Sequence, residues 1–166
     1  MEGARRLLRG LWLLEATVCV LAFSITAIAL MADVLGREFF GNGIFGAQRL
    51  AVWTTAIAGL VGFALVTAEA GHLRPRFLDG LVPKSAGPAF DRFGDLLSAV
   101  ICIVLGWYAV QFVQSSAALG ERGMAIPIKV WPIQLILPWM FFSSALRHLL
   151  FAAFPPLRPA PKEELH

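Results

Sequence analysis

A chain of 166 residues is of single-domain size, but 58% of it is hydrophobic, only 15% is charged and its mean hydropathy is +0.72. These proportions exclude an ordinary water-soluble domain and make a bilayer the expected solvent. The net charge of +3 is spread over basic residues scattered among apolar runs, so no nucleic-acid surface is expected.

The N-terminal basic cluster of Arg5, Arg6 and Arg9 leads into an apolar run over about 11–31. Its length is close to the roughly 20 residues that a bilayer core demands, and no small-x-small cleavage site ends it. It is therefore read as a first span and not as a signal peptide. Glu15 lies about one turn inside it, where it is expected to anchor the inner end by snorkelling or by pairing with Arg5 or Arg9. An ion-path role is the alternative. Trp12 suits an aromatic belt.

Charge returns at Asp33-Val-Leu-Gly-Arg37, where an acid and a base at i, i+4 share one helical face. They are expected to satisfy each other at the membrane rim, with a cross-subunit contact as the alternative. Asn42-Gly-Ile-Phe-Gly46 reads as a short interfacial turn into a second span over about 50–68. That span carries Ala51, Thr55, Ala58, Gly59 and Gly62 on one broad face, fit for close approach of another helix, either within this chain or from another subunit.

A polar, Pro- and Gly-rich connector follows from Glu69, containing His72, Arg74 and Arg76, and is expected to form a short amphipathic turn on the membrane surface. His72 has no second ligand at useful spacing and is read as an interfacial histidine. The third span is expected over about 96–118, with Ser98, Cys102, Gly106 and Ala109 as a small-residue stripe and Trp107 and Tyr108 facing protein. The fourth, over about 130–151, holds Pro132 and Pro138, which call for a kink and not a break. Arg147 and His148 near its end are expected to snorkel to the interface. Residues 1–155 thus read as one four-helix transmembrane domain, and 156–166 as a cytoplasmic tail.

Ten Lys and Arg residues flank the side that carries the termini and the connector, against four on the other side, so both ends are placed inside. Several chemistries lack their residues. Haem ligation needs paired intramembrane histidines, and the three histidines (His72, His148 and His166) fall at or beyond the expected span ends. A disulfide oxidase needs a Cys-x-x-Cys motif, whereas Cys19 and Cys102 stand alone in apolar runs as packing residues. No phosphate loop, nucleophile elbow or zinc signature is present. No catalytic, cofactor-binding or metal-ligating residue is assigned, and the chain is not read as an enzyme.

Asp33-Val-Leu-Gly-Arg37 with its following aromatics, the interfacial turn before the second span, and Gly71-His72-Leu-Arg74 after it resemble the small membrane subunit of tripartite ATP-independent periplasmic (TRAP) transporters, the DctQ-like family. The likeness covers nearly the whole chain. Where that family usually shows a tryptophan and paired acids before the second span, this chain has Phe45 to Arg49, so no acid there is given a role. The resemblance implies a multi-pass bacterial inner-membrane protein acting as an accessory scaffold in sodium-coupled, binding-protein-dependent uptake of organic acids. Its partners would be a large multispan TRAP membrane subunit that carries the substrate and the coupling sodium, and a periplasmic substrate-binding protein. Asp33, Arg37 and Glu15 would pin the first span, Gly59 and Gly62 would offer a packing face, and His72, Arg74 and Arg76 would meet phospholipid or the large subunit. The reading from residues alone leaves a rival: a self-contained four-span exporter or channel using Glu15.

Overall fold

The computed structural model describes residues 2–69, 87–123 and 127–159, and among these the protein is almost entirely helical. The helices are α1 (Glu2–Phe40), α2 (Ala47–Ala68), α3 (Gly87–Leu119), α4 (Trp131–Gln134) and α5 (Ile136–Ala153), followed by a 3-10 turn at Pro155–Leu157. Four helical stretches are long and apolar enough to cross a membrane, the last being α4 and α5 taken together. The expected surface turn with His72, Arg74 and Arg76 lies outside the described residues.

The helices outrun the apolar stretches. α1 has 39 residues, about 58 Å at 1.5 Å per residue, because no proline interrupts Glu2 to Phe40 and the polar residues at both ends are themselves helix-compatible. It stops where Gly41 takes φ 70° and donates its N–H to the Arg37 carbonyl at 3.1 Å, a left-handed cap that suits glycine. α3 likewise begins well before Leu96, taking Asp91, Arg92 and Asp95 out of the expected connector and into a helix. It ends in a Schellman arrangement: Gly120 has φ 63°, its N–H reaches the Ala117 carbonyl at 3.2 Å, and that of Glu121 reaches Ser116 at 3.2 Å.

The proline kink takes the form of a one-residue interruption at Leu135 between α4 and α5. Pro138 has no N–H to offer the Gln134 carbonyl four residues back, so the ladder fails there and resumes beyond it. Trp131 to Ala153 still forms one crossing.

α1 packs along α2, α3 packs along α5, and α2 packs against α5, so α2 and α5 form the middle of the bundle. The best apolar window of the fourth crossing is 44% buried and that of α1 only 11%, which makes α1 a flanking helix. The helix contacts use small residues: Ala51, Ala58, Val61 and Ala64 on α2, and Ala99, Cys102, Ala109 and Val113 on α3. Thr26 on α1 and Thr54 on α2 share a hydroxyl hydrogen bond at 2.7 Å, and the Cys19 thiol donates to the Ala58 carbonyl at 3.6 Å.

Gly106 shows why α3 can lie against α5. A methyl group built there would meet the Phe142 ring at 2.9 Å. Gly106→Leu is therefore expected to destabilise the subunit by about 1–3 kcal/mol through overpacking, read as a lowered midpoint of thermal unfolding in detergent. Gly59 and Gly62 behave oppositely, since nothing lies within 4 Å of a Cβ at either position. The packing face of α2 runs through Ala51, Thr54, Ala58 and Val61, so its two glycines are left uncovered by the described residues.

Trp107 and Tyr108, expected to face protein, do not face the described part of this bundle. They are 62% and 63% exposed, not turned into the bundle, because the buried face of α3 is set by Asp95, Ala99, Cys102, Ala109, Val113 and Ser116.

Candidate functional site

Membrane helices bury charge at low cost only when it is paired, and among the described residues three such pairs fix the ends of this bundle. The most enclosed joins Glu15 of α1 to Arg147 of α5, both with no exposed surface. Two parallel bonds link them: Arg147 Nη2 donates to Glu15 Oε2 at 2.5 Å and Nη1 to Oε1 at 3.2 Å. Nη1 also donates to the Ala64 carbonyl of α2 at 3.2 Å, so one guanidinium ties three helices together. Glu15 is thus not a snorkelling anchor paired with Arg5 or Arg9. Arg147 does not snorkel either, because the rigid planar fork has a carboxylate and a carbonyl within the bundle to satisfy it.

His148, next along α5, faces the other way. Its Nδ1 lies 3.0 Å from Asp95 Oδ1 of α3, and the histidine is only 7% exposed, which replaces the expected interfacial position. Arg158, just past the 3-10 turn, adds its guanidinium at 3.6 Å from Asp95 and 3.4 Å from Asp91. Consecutive residues on a helix diverge by about 100°, and α5 sits between α2 and α3. Arg147 therefore serves the α1 and α2 side while His148 serves α3.

The third pair lies at the opposite end. Asp33 and Arg37 bond to each other along α1, with Asp33 4% exposed and the arginine side chain 55% exposed. The second carboxylate oxygen, Oδ1, accepts the Ile44 N–H at 2.8 Å, so Asp33 also holds the turn into α2. Glycines make room for this. A methyl group on Gly43 would meet Asp33 Oδ1 at 2.5 Å and Arg37 Nε at 2.9 Å, and one on Gly36 would meet the Asn42 carbonyl at 3.0 Å. Beside the pair opens a shallow polar cleft of about 620 Å³, lined by Asn42, Gln48 and Arg49 among others.

The structure does not gather these residues into one reaction centre. Glu15, Asp33, Asp95, Arg37, Arg147 and His148 are engaged in fixed contacts within the chain. Chemically the arrangement can clamp helices, and it leaves no intramembrane acid of the described residues facing an open path. A model of the family described as tripartite ATP-independent periplasmic transporters, DctQ component, matches residues 25–153. The chain belongs to that family. The match includes Asp33, Arg37, Asp95, Arg147 and His148, while Glu15 lies just ahead of it. The chain is also similar to the ectoine TRAP transporter small permease protein TeaB of Halomonas elongata, with 24% identity over 145 residues, covering 84% of this chain and 72% of that protein. This DctQ component is accordingly a multi-pass inner-membrane protein and the small subunit of a TRAP transporter. The family implies a large membrane subunit and a periplasmic binding protein as its partners.

Sequence reasoning placed Asp33 with Arg37 but missed the partners of Glu15 and Asp95. The available signal was depth: Glu15 sits just inside the start of the first apolar run and Arg147 just inside the end of the last, which two antiparallel helices bring to one level.

Proposed function

We propose that this subunit is a fixed scaffold: it braces the large transport subunit during sodium-coupled, binding-protein-dependent uptake of an organic acid, and carries neither substrate nor sodium itself. One observation carries this reading. On α3, Tyr108, Gln111 and Ser115, with Trp107 and Gln114 beside them, form a polar and aromatic strip that runs from the middle of the membrane crossing to its last turn, and all five are exposed. Lipid tails offer these hydroxyl and amide groups no hydrogen bonds, so a protein surface is the chemistry that suits them. The uncovered Gly59 and Gly62 of α2 provide a second place for close helix contact.

The charge count orients the subunit with both termini and the α2–α3 connector in the cytoplasm. Asp33, Arg37 and the cleft beside them then face the periplasm, where the binding protein delivers its cargo. His72, Arg74 and Arg76 face cytoplasmic lipid phosphate or the large subunit, and residues 1–155 act as one transmembrane unit. An organic acid is the cargo implied by the resemblance, and the name of the Halomonas relative adds ectoine as a compound to assay.

The test is copurification. Tyr108→Phe combined with Gln111→Leu is expected to leave the isolated subunit folded, because both side chains are exposed, yet to reduce recovery of the large subunit about tenfold. The same loss is expected for Gly59→Leu. Full recovery with all three changes, or full uptake by the large subunit and binding protein without this chain, would refute the scaffold role.

A further inference from the structure

An open cleft of about 440 Å³ lies at the end of the bundle that carries both termini. One wall is a single face of α1, with Arg5, Leu8, Arg9 and Trp12 at helical steps of three and four. The opposite wall is Phe151 of α5 with Pro156, Leu157 and Pro159, and Ala68 at the end of α2 completes it.

The charges are unbalanced there. Arg147 lines the cleft and is neutralised by Glu15, whereas Arg5 and Arg9 have no acidic partner among the described residues. Their neighbour Arg6 instead turns outward toward Glu2 at 4.0 Å. Arg147, in the same lining, adds a second, independent observation: its Nε is buried and has no hydrogen-bond partner, while its Nη1 bonds Glu15 and the Ala64 carbonyl and its Nη2 bonds Glu15. A buried N–H donor without an acceptor is costly, and an anionic oxygen in this cleft would supply one.

We propose that this cleft binds the phosphate of an anionic phospholipid headgroup. Two arginines without an acidic partner on one wall, with the charged Arg147 buried in the lining, match a phosphodiester. Trp12 supplies the amphipathic ring favoured at headgroup depth, and Leu8, Phe151, Leu157 and the prolines form an apolar wall for the glycerol and upper acyl chain. The bound lipid would seal α1, the flanking helix, to the end of α5. The inference does not depend on the scaffold role, and the proposed orientation decides only which leaflet supplies the lipid.

Native mass spectrometry of the purified full chain, offered equimolar phosphatidylglycerol and phosphatidylcholine, tests it. About thirtyfold preferential retention of phosphatidylglycerol is expected, the scale of two lipid-facing arginines. Arg5→Gln with Arg9→Gln should abolish the preference; both residues are exposed, so the fold remains in place. Arg6→Gln, on the same basic segment but off the cleft, should keep it. No preference in the unaltered chain, or an equal loss with Arg6→Gln, would overturn the site in favour of diffuse attraction. Displacement of phosphatidylglycerol by millimolar inorganic phosphate would overturn the lipid assignment and make this a free-phosphate site.

Discussion

Replacing Glu15 with Ala is expected to destabilise the subunit by roughly 3–5 kcal/mol and to leave little folded protein in the membrane. The reason is not the lost attraction alone. Arg147 has no exposed surface, so its charge would remain enclosed among α1, α2 and α5 with only the Ala64 carbonyl to receive it. Arg147→Leu is expected to do similar damage by stranding Glu15. Making both changes to Leu should return the protein to near wild-type stability, because removing a buried pair altogether also removes its desolvation cost. Thermal unfolding in detergent of the two single variants and the double reads this out as a coupling energy. The same set separates scaffold from ion path. If the pair only clamps helices, the double variant assembles and supports normal uptake. A double variant that assembles normally but transports nothing would show that Glu15 carries ions, and the scaffold role would fall.

Composition and hydropathy made the four crossings legible because the bilayer sets a minimum apolar length that few other structures need. Where each helix ends was less legible. Helicity continues through polar residues such as Asp91, Arg92 and Asp95, which lower hydropathy without breaking a helix. The short-range pair Asp33 and Arg37 could be read directly, since i, i+4 spacing alone brings the two residues together. Glu15 with Arg147 and Asp95 with His148 could not. Each pair joins helices far apart in sequence, and the choice depends on α5 lying between α2 and α3, which no local pattern specifies. The same missing neighbour relation explains Trp107 and Tyr108. Bulky aromatics in mid-span fit a protein contact, but the contact is not supplied by the described residues of this chain.

At the other end of α1, Gly43→Ala is expected to destabilise the subunit by about 1–3 kcal/mol, although it adds one methyl group to a polar turn. That methyl would stand 2.5 Å from Asp33 Oδ1, the oxygen that accepts the Ile44 N–H, and 2.9 Å from Arg37 Nε. Arg37 is half exposed and can swing aside, but Asp33 is 4% exposed and held by two partners, so the turn has to move. Asp33→Ala is expected to cost about 1–3 kcal/mol through the unsatisfied Ile44 N–H and the lost ion pair. Asp33→Asn should cost less, since its amide oxygen still accepts that N–H. The decisive comparison combines Asp33→Ala with Gly43→Ala. Truncating Asp33 removes the atom that the new methyl would strike, so the double variant should be destabilised by clearly less than the sum of the singles. Thermal unfolding together with hydrogen exchange at residues 41–46 measures this, with faster exchange expected at Ile44 in every variant that lacks its acceptor. Strictly additive costs would mean that Gly43 and Asp33 act on separate parts of the rim. A deficit from additivity instead shows that α1, the turn and α2 are locked as one corner, the rigidity that a fixed wall needs beside a moving subunit.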